Sequence, residues 1–128
     1  MNAAALPPIV LVMLGGAAGA SLRYLVGLGT LAAFGPGLPF GTWAVNIAGS
    51  LAMGILTGAL LRVGTVAEPL RLLLGVGVLG GFTTFSAFSL DLVTMLVRGD
   101  VVLAVAYAVS SVAGGVVALY AGIAATRP

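Results

Sequence analysis

The sequence predicts an all-α membrane protein of four transmembrane helices, the third of them broken near its centre. Three observations lead there. Of 128 residues, 61% are apolar and only 6% are charged, against ~25% charged in a typical soluble domain, so a water-exposed surface has too little to be built from. The apolar residues gather into stretches of roughly 20 or more, the length an α-helix needs to cross a hydrocarbon core about 30 Å thick. The third stretch holds paired glycines and paired threonines in its middle, where a spanning helix should be most regular.

Those stretches are about 9–33, 40–62, 70–97 and 101–125. The first opens on Pro8-Ile9-Val10-Leu11-Val12-Met13-Leu14, which looks like the core of a secretory signal. Residues 1–7 carry no Lys or Arg, however, and apolar character runs past Arg23 to Leu31, so an uncleaved span is expected. Gly35-Pro36-Gly37-Leu38-Pro39 ends it, a segment with Gly64, Glu68 and Pro69 separates the second span from the third, and Arg98-Gly99-Asp100 turns the chain into the fourth. The whole chain, 1–128, then reads as a single four-helix transmembrane domain. Lipid excludes open sheets, whose edges leave backbone groups unsatisfied, and the alternating strands of a barrel are not seen.

Composition excludes several classes. Hydrophobicity rules out disorder, and 20 glycines without a three-residue period rule out collagen. The absence of Cys and His removes thiol chemistry, disulfides and the usual transition-metal ligands, leaving little for an enzyme. The net charge of +2 comes from five arginines against Glu68, Asp91 and Asp100, too scattered for a nucleic-acid surface. With four spans, Arg62, Arg71 and Arg127 share the side of both termini, and Arg98 lies opposite. That count leans towards cytoplasmic termini, and so small a bias is compatible with insertion both ways up.

The informative residues are those that cost free energy in lipid. Arg23 stands about fourteen residues into the first span, where an arginine costs ~2.5–3.5 kcal/mol on insertion scales. Either it snorkels or pairs with Asp91, or it faces a wet cavity and attracts anions; the small residues near it at helical spacing, Gly16, Gly19, Ala20 and Gly27, favour a packed interior and so the second reading. The second span carries Thr42, Asn46, Ser50, Met53 and Thr57 on one face, and the fourth carries Tyr107, Ser110 or Ser111, and Gly114 or Gly115. Interhelical hydrogen bonding accounts for such faces, but Asn46 can also donate two hydrogen bonds to an anion and is costly as mere glue. In the third span, Gly75-Val76-Gly77-Val78-Leu79-Gly80-Gly81-Phe82-Thr83-Thr84 favours a break, since freed carbonyls and half-helix ends at mid-membrane depth are ready ion ligands. Glycine packing competes as an explanation, because Gly77 and Gly81, Gly15 and Gly19, and Gly54 and Gly58 all follow the small-xxx-small pattern. Phe85 and Phe88 share a face just beyond; at such spacing phenylalanines are far more often lipid-facing or core than functional, yet a positive ring edge can contact an anion, and spacing does not decide between the two.

At this point the chain resembles a known family, the Fluc fluoride channels, also called CrcB. The match runs through Gly15-Gly16-Ala17-Ala18-Gly19-Ala20-Ser21-Leu22-Arg23-Tyr24, then Gly41-Thr42-Trp43-Ala44-Val45-Asn46-Ile47-Ala48-Gly49-Ser50, then Gly80-Gly81-Phe82-Thr83-Thr84-Phe85-Ser86-Ala87-Phe88, the last being the most specific. The resemblance implies passive fluoride export through an antiparallel dual-topology homodimer in the inner (plasma) membrane, with two fluoride pores. It also implies a structural Na+ at the dimer centre, held by the backbone carbonyls of Gly80 and Thr83. Phe85 and Phe88 would line the fluoride route with Asn46, Thr42 and Ser86, Arg23 would sit at the vestibule, and Tyr107 and Ser111 would form a polar track. Gly115 replaces a hydroxyl residue on that track, and Asp91 stands where the family often has Glu.

Two other classes fit the length and helix count. A small dual-topology proton-coupled multidrug exporter needs a carboxylate in its first span, and this span offers Arg23 instead. A non-transporting assembly subunit would use its polar residues for packing alone, which an ion-efflux assay separates from either transporter.

Overall fold

A backbone in lipid has no water to bond, so each apolar stretch closes its hydrogen bonds on itself. In the computed structural model, which describes residues 6–127, helix α1 runs Pro8–Phe34 and α2 runs Phe40–Leu60. A 3₁₀ turn at Gly64–Ala67 leads into the one-turn helix α3, Glu68–Leu70. A π-helix follows at Arg71–Leu79, then the short helix α4, Gly80–Phe82. Helices α5, Phe85–Val97, and α6, Val101–Thr126, complete the chain. Residues 1–5, part of the segment whose lack of Lys and Arg argued against a signal sequence, lie outside the described residues.

Among the described residues four stretches are long and apolar enough to cross a membrane: Pro8–Phe34, Phe40–Leu60, Glu68–Val97 and Val101–Thr126, of 27, 21, 30 and 26 residues. At ~1.5 Å per residue each covers the ~30 Å hydrocarbon core. Gly35 at φ 73° stops α1 and Gly99 at φ 85° closes the turn between α5 and α6, conformations that residues with a Cβ rarely adopt. Arg62 Nη2 donates to the Arg127 carbonyl at 3.0 Å, bringing the far ends of α2 and α6 to one end of the bundle.

The third span departs most from a regular helix. Its first half is largely π-helical, which the sequence did not foretell. After α4, Thr83 (φ −82°, ψ 157°) and Thr84 (φ −153°, ψ 123°) are extended, and helix resumes at Phe85. The same region also makes the closest helix contact in the fold. A methyl group built on Gly15 would strike the Leu73 carbonyl and Gly77, one on Gly19 would strike the Val78 carbonyl, and one on Gly81 would meet the backbone of Gly16 and Ala20. Glycine packing and non-helical backbone, weighed above as competing explanations, therefore occupy one segment. The contact face of α1 also differs from the one expected, for nothing stands near a Cβ at Gly16 or Gly27. On the other side, α2 and α6 approach through Gly54, Gly58 and Gly122.

Phe88, Met95, Ala104 and Tyr107 form a small buried core between α5 and α6. Most other large apolar side chains point outward, as a lipid-facing surface requires. Replacing Gly19 with Leu should push α1 from the third span and lower stability by at least about 1–3 kcal/mol, the usual cost of overpacking. Gly16→Ala should leave the unfolding midpoint in detergent unchanged; equal losses in both variants would remove the contact face described here.

Candidate functional site

Interrupting a helix in lipid strands backbone groups, and the site is built from what becomes of each. In a continuous helix the carbonyls of Gly80, Gly81 and Thr83 would accept from the N–H groups of Thr84, Phe85 and Ala87. Instead, the Thr84 N–H donates to Asn46 Oδ1 at 2.7 Å, and Asn46 Nδ2 donates to the Thr84 carbonyl at 2.9 Å. The carboxamide from α2 thus pairs with one residue's backbone as a neighbouring strand would. From α1, Arg23 Nε donates to the Gly81 carbonyl at 3.0 Å. The Ala87 N–H donates to Thr84 Oγ1 at 3.2 Å, an N-cap that starts α5. Thr83 Oγ1 donates back to the Leu79 carbonyl at 2.9 Å.

Three acceptors remain. Among the described residues the Gly80, Phe82 and Thr83 carbonyls receive no hydrogen bond, and Gly80 and Thr83 are the two that the resemblance names. Uncharged oxygens of this kind suit a hard cation, so the residues named by the resemblance fit such an ion. No group of three or more Asp, Glu, His or Cys side chains gathers elsewhere among the described residues.

Three concavities string together along the interruption. Arg23, Thr42 and Thr84 border one of about 240 Å³, and Asn46, Ser50, Thr83, Thr84 and Phe85 border a second of about 330 Å³. Thr42 also borders a third of about 350 Å³, together with Asp91, Thr94 and Arg98. Thr84 belongs to the first two, so the Asn46 pairing stands where they adjoin.

An aromatic and hydroxyl cluster lies between α5 and α6. Phe88 is only 8% exposed, its ring 5.3 Å from Tyr107 and 5.8 Å from Phe85 between centroids. Phe85 is 79% exposed. Tyr107 Oη donates to Asp91 Oδ2 at 3.0 Å. One turn further, Ser111 is buried, and its Oγ has no hydrogen-bond partner among the described residues, while Ser110 Oγ takes the Tyr107 carbonyl at 3.2 Å. Ser86 is exposed, with its Oγ 3.3 Å from Thr84 Oγ1.

The structure gathers Asn46, Thr83, Thr84 and Arg23 around the extended pair, and Phe85, Phe88 and Tyr107 in the aromatic cluster. Two expectations change. Arg23 bonds the Gly81 carbonyl, and Asp91 bonds Tyr107, so the alternative pairing of the two charges is not the one adopted. Asn46 does not hold two free hydrogens for an anion, because one is used on Thr84. Sequence reasoning missed Thr84 as the hub of the site. The available signal was its place as a threonine opening the run Phe85-Ser86-Ala87-Phe88, a position at which threonine caps helices.

A family model described as CrcB-like protein, Camphor Resistance (CrcB), matches residues 10–123. The chain belongs to this family. Relatives within reach of that match include a protein of Sphingopyxis alaskensis, 54% identical over 91% of this chain and 92% of its own length. Another, from Phenylobacterium zucineum, is 52% identical over 93% of this chain and 94% of its own. A third, from Caulobacter vibrioides, is 46% identical over the same shares. All three are named fluoride-specific ion channel FluC. The CrcB-like match runs from the first turn of α1 to the last turn of α6 and includes every residue of the site above.

Removing the guanidinium tests one element of this arrangement. Arg23→Leu leaves the Gly81 carbonyl without its donor and should cost about 1.5–3 kcal/mol, the range for hydrogen bonds to charged groups; chemical unfolding in detergent measures it, and an unchanged midpoint would show the bond to be incidental.

Proposed function

We propose that this chain is a fluoride-selective ion channel, not an enzyme, through which fluoride leaves the cell passively across the inner membrane. Its membership of the CrcB-like family, with relatives named as fluoride channels at about half identity over nearly their full length, supports the reading. The structural observation that carries it is Ser111. A buried hydroxyl with no partner costs about 1–3 kcal/mol, and here it lies one turn from Tyr107, whose ring packs on Phe88. A small, strongly hydrated anion needs replacement hydrogen bonds from its path. Ser111, Thr42, Ser86, Tyr107, the remaining Asn46 hydrogen and the Arg23 guanidinium are the donors, and ring edges of Phe85 and Phe88 add weak positive potential.

The working unit is read as an antiparallel dual-topology homodimer. Phe85 stands largely exposed on a single chain while Phe88 is buried, so a second copy is needed to enclose both rings around one route. The small positive-inside bias accords with insertion in both orientations. Thr83 and Thr84 are read as a functional break, and the Gly80 and Thr83 carbonyls, one pair from each copy, would hold a structural sodium ion. When bound, that ion supplies positive charge at the dimer centre; Asn46 Oδ1 takes the Thr84 N–H that would otherwise reach Gly80, and Thr84 Oγ1 takes the Ala87 N–H that would otherwise reach Thr83.

Purified protein in liposomes should release fluoride and retain chloride, read with ion-selective electrodes. Equal release of both would remove the selectivity claim. Phe85→Ile and Phe88→Ile should each slow fluoride release by tenfold or more, about 1.4 kcal/mol on the barrier, and wild-type rates would make the rings ordinary packing groups. Crosslinks between single-cysteine variants report subunit orientation, and exclusively parallel pairs would overturn the dimer assignment.

A further inference from the structure

Asn46 makes two hydrogen bonds to one residue, and the shorter of them decides something at a distance. The Thr84 N–H is a single donor with two available acceptors: Asn46 Oδ1, which it takes at 2.7 Å, and the Gly80 carbonyl four residues back, which helical continuation would offer. The choice is exclusive. A half-buried N–H inside a membrane span gains from any acceptor in reach, so without the Asn46 oxygen the chain gains by closing one more turn onto Gly80, and that carbonyl is consumed.

We propose that Asn46 is a positioning residue for the cation site: by drawing the Thr84 N–H to itself it keeps the Gly80 carbonyl open as a ligand, and so ties cation binding to a side chain that also borders the anion route. This rests on the sodium proposed at Gly80 and Thr83. Asn46 reaches the cation only through Thr84. Its oxygen sets the cation site, whereas Asn46 also borders the concavity shared with Ser50 and Phe85, where the nitrogen-bound hydrogen not used on Thr84 is the donor it can offer. The two ends of one amide therefore serve different ions, and substitution separates them. Asn46→Asp keeps an acceptor for the Thr84 N–H while placing negative charge on the anion route. Asn46→Leu keeps neither acceptor nor donor.

The test uses full-length protein purified without sodium, its unfolding temperature followed as sodium chloride is added against an N-methylglucamine chloride control, with fluoride efflux from liposomes measured in parallel. Wild type should be stabilised by sodium. Asn46→Asp should keep the wild-type sodium midpoint with efflux lost, and Phe88→Ile should do likewise with efflux slowed. Asn46→Leu should need roughly 10–100-fold more sodium, the usual loss when a residue behind a metal ligand is removed. An Asn46→Leu midpoint equal to wild type would make Asn46 a pore amide and nothing more. A shift in Asn46→Asp as large as in Asn46→Leu would make the effect general disruption. Should Asn46→Leu not fold, hydrogen exchange in the wild type decides: the Thr84 amide should be strongly protected, and fast exchange there overturns the clamp. Wild type indifferent to sodium refutes the sodium reading itself, an outcome seen without any variant and so distinct from failure of the coupling.

Discussion

A polypeptide inside a bilayer must satisfy its backbone from within, and the rest of this structure follows from how that demand is met at Thr83 and Thr84. Extending two residues in the middle of a span removes several helical hydrogen bonds where water cannot replace them. Side chains from two other helices do so instead: Asn46 pairs with both backbone groups of Thr84, and Arg23 takes the Gly81 carbonyl. Residues that look like costly intruders in lipid are thus partners to a costly backbone, and each offsets the other. This explains how an arginine and an asparagine are retained at a depth where either alone is unfavourable.

That arrangement depends on distance, and glycine controls the distance. Arg23 reaches Gly81 because α1 lies almost backbone to backbone on the π-helix and α4, through Gly15, Gly19, Gly77 and Gly81. Association in lipid draws no help from the hydrophobic effect and relies on close van der Waals contact. The contact is therefore both the stabilising feature of the α1 pairing and the means by which α1 delivers its guanidinium. The close approach of α2 and α6 at Gly54 and Gly122 gives the opposite wall the same rigidity.

Conduction requires an anion to be held well enough to shed water and loosely enough to leave. The donors around this site are hydroxyls, one amide hydrogen and the Arg23 guanidinium, which bonds a neutral carbonyl through Nε and keeps its charge. Aromatic ring edges between them are weaker still. Such a graded set matches the proposed passage of fluoride in a chain of the CrcB-like family better than it matches tight anion storage. Asp91, bonded to Tyr107 and bordering the concavity with Arg98, brings a carboxylate close to the proposed route.

The class of protein was legible in the chain because hydropathy over about 20 residues reflects transfer from water to lipid, a property of composition that no tertiary contact reverses. The same holds for the turns at Gly35 and Gly99, where a positive φ requires glycine. Candidate residues were legible too, since Arg23 and Asn46 stand out against an apolar background, although Thr84 was not among them. Their partners were not. Asn46 and Thr84 lie 38 positions apart and Arg23 and Gly81 lie 58 apart, and periodicity carries no information over such separations. The pairing of Gly15 with Gly19 was legible as a small-xxx-small pattern, but that Gly16 and Gly27 meet no neighbour was not, because these glycines differ only in rotation about the helix axis, and that rotation is set by the surface they pack against. Composition decided that the chain lives in a membrane and where its helix would be weakest; only the packed helices decided which side chains answer the freed backbone groups and which carbonyls are left open.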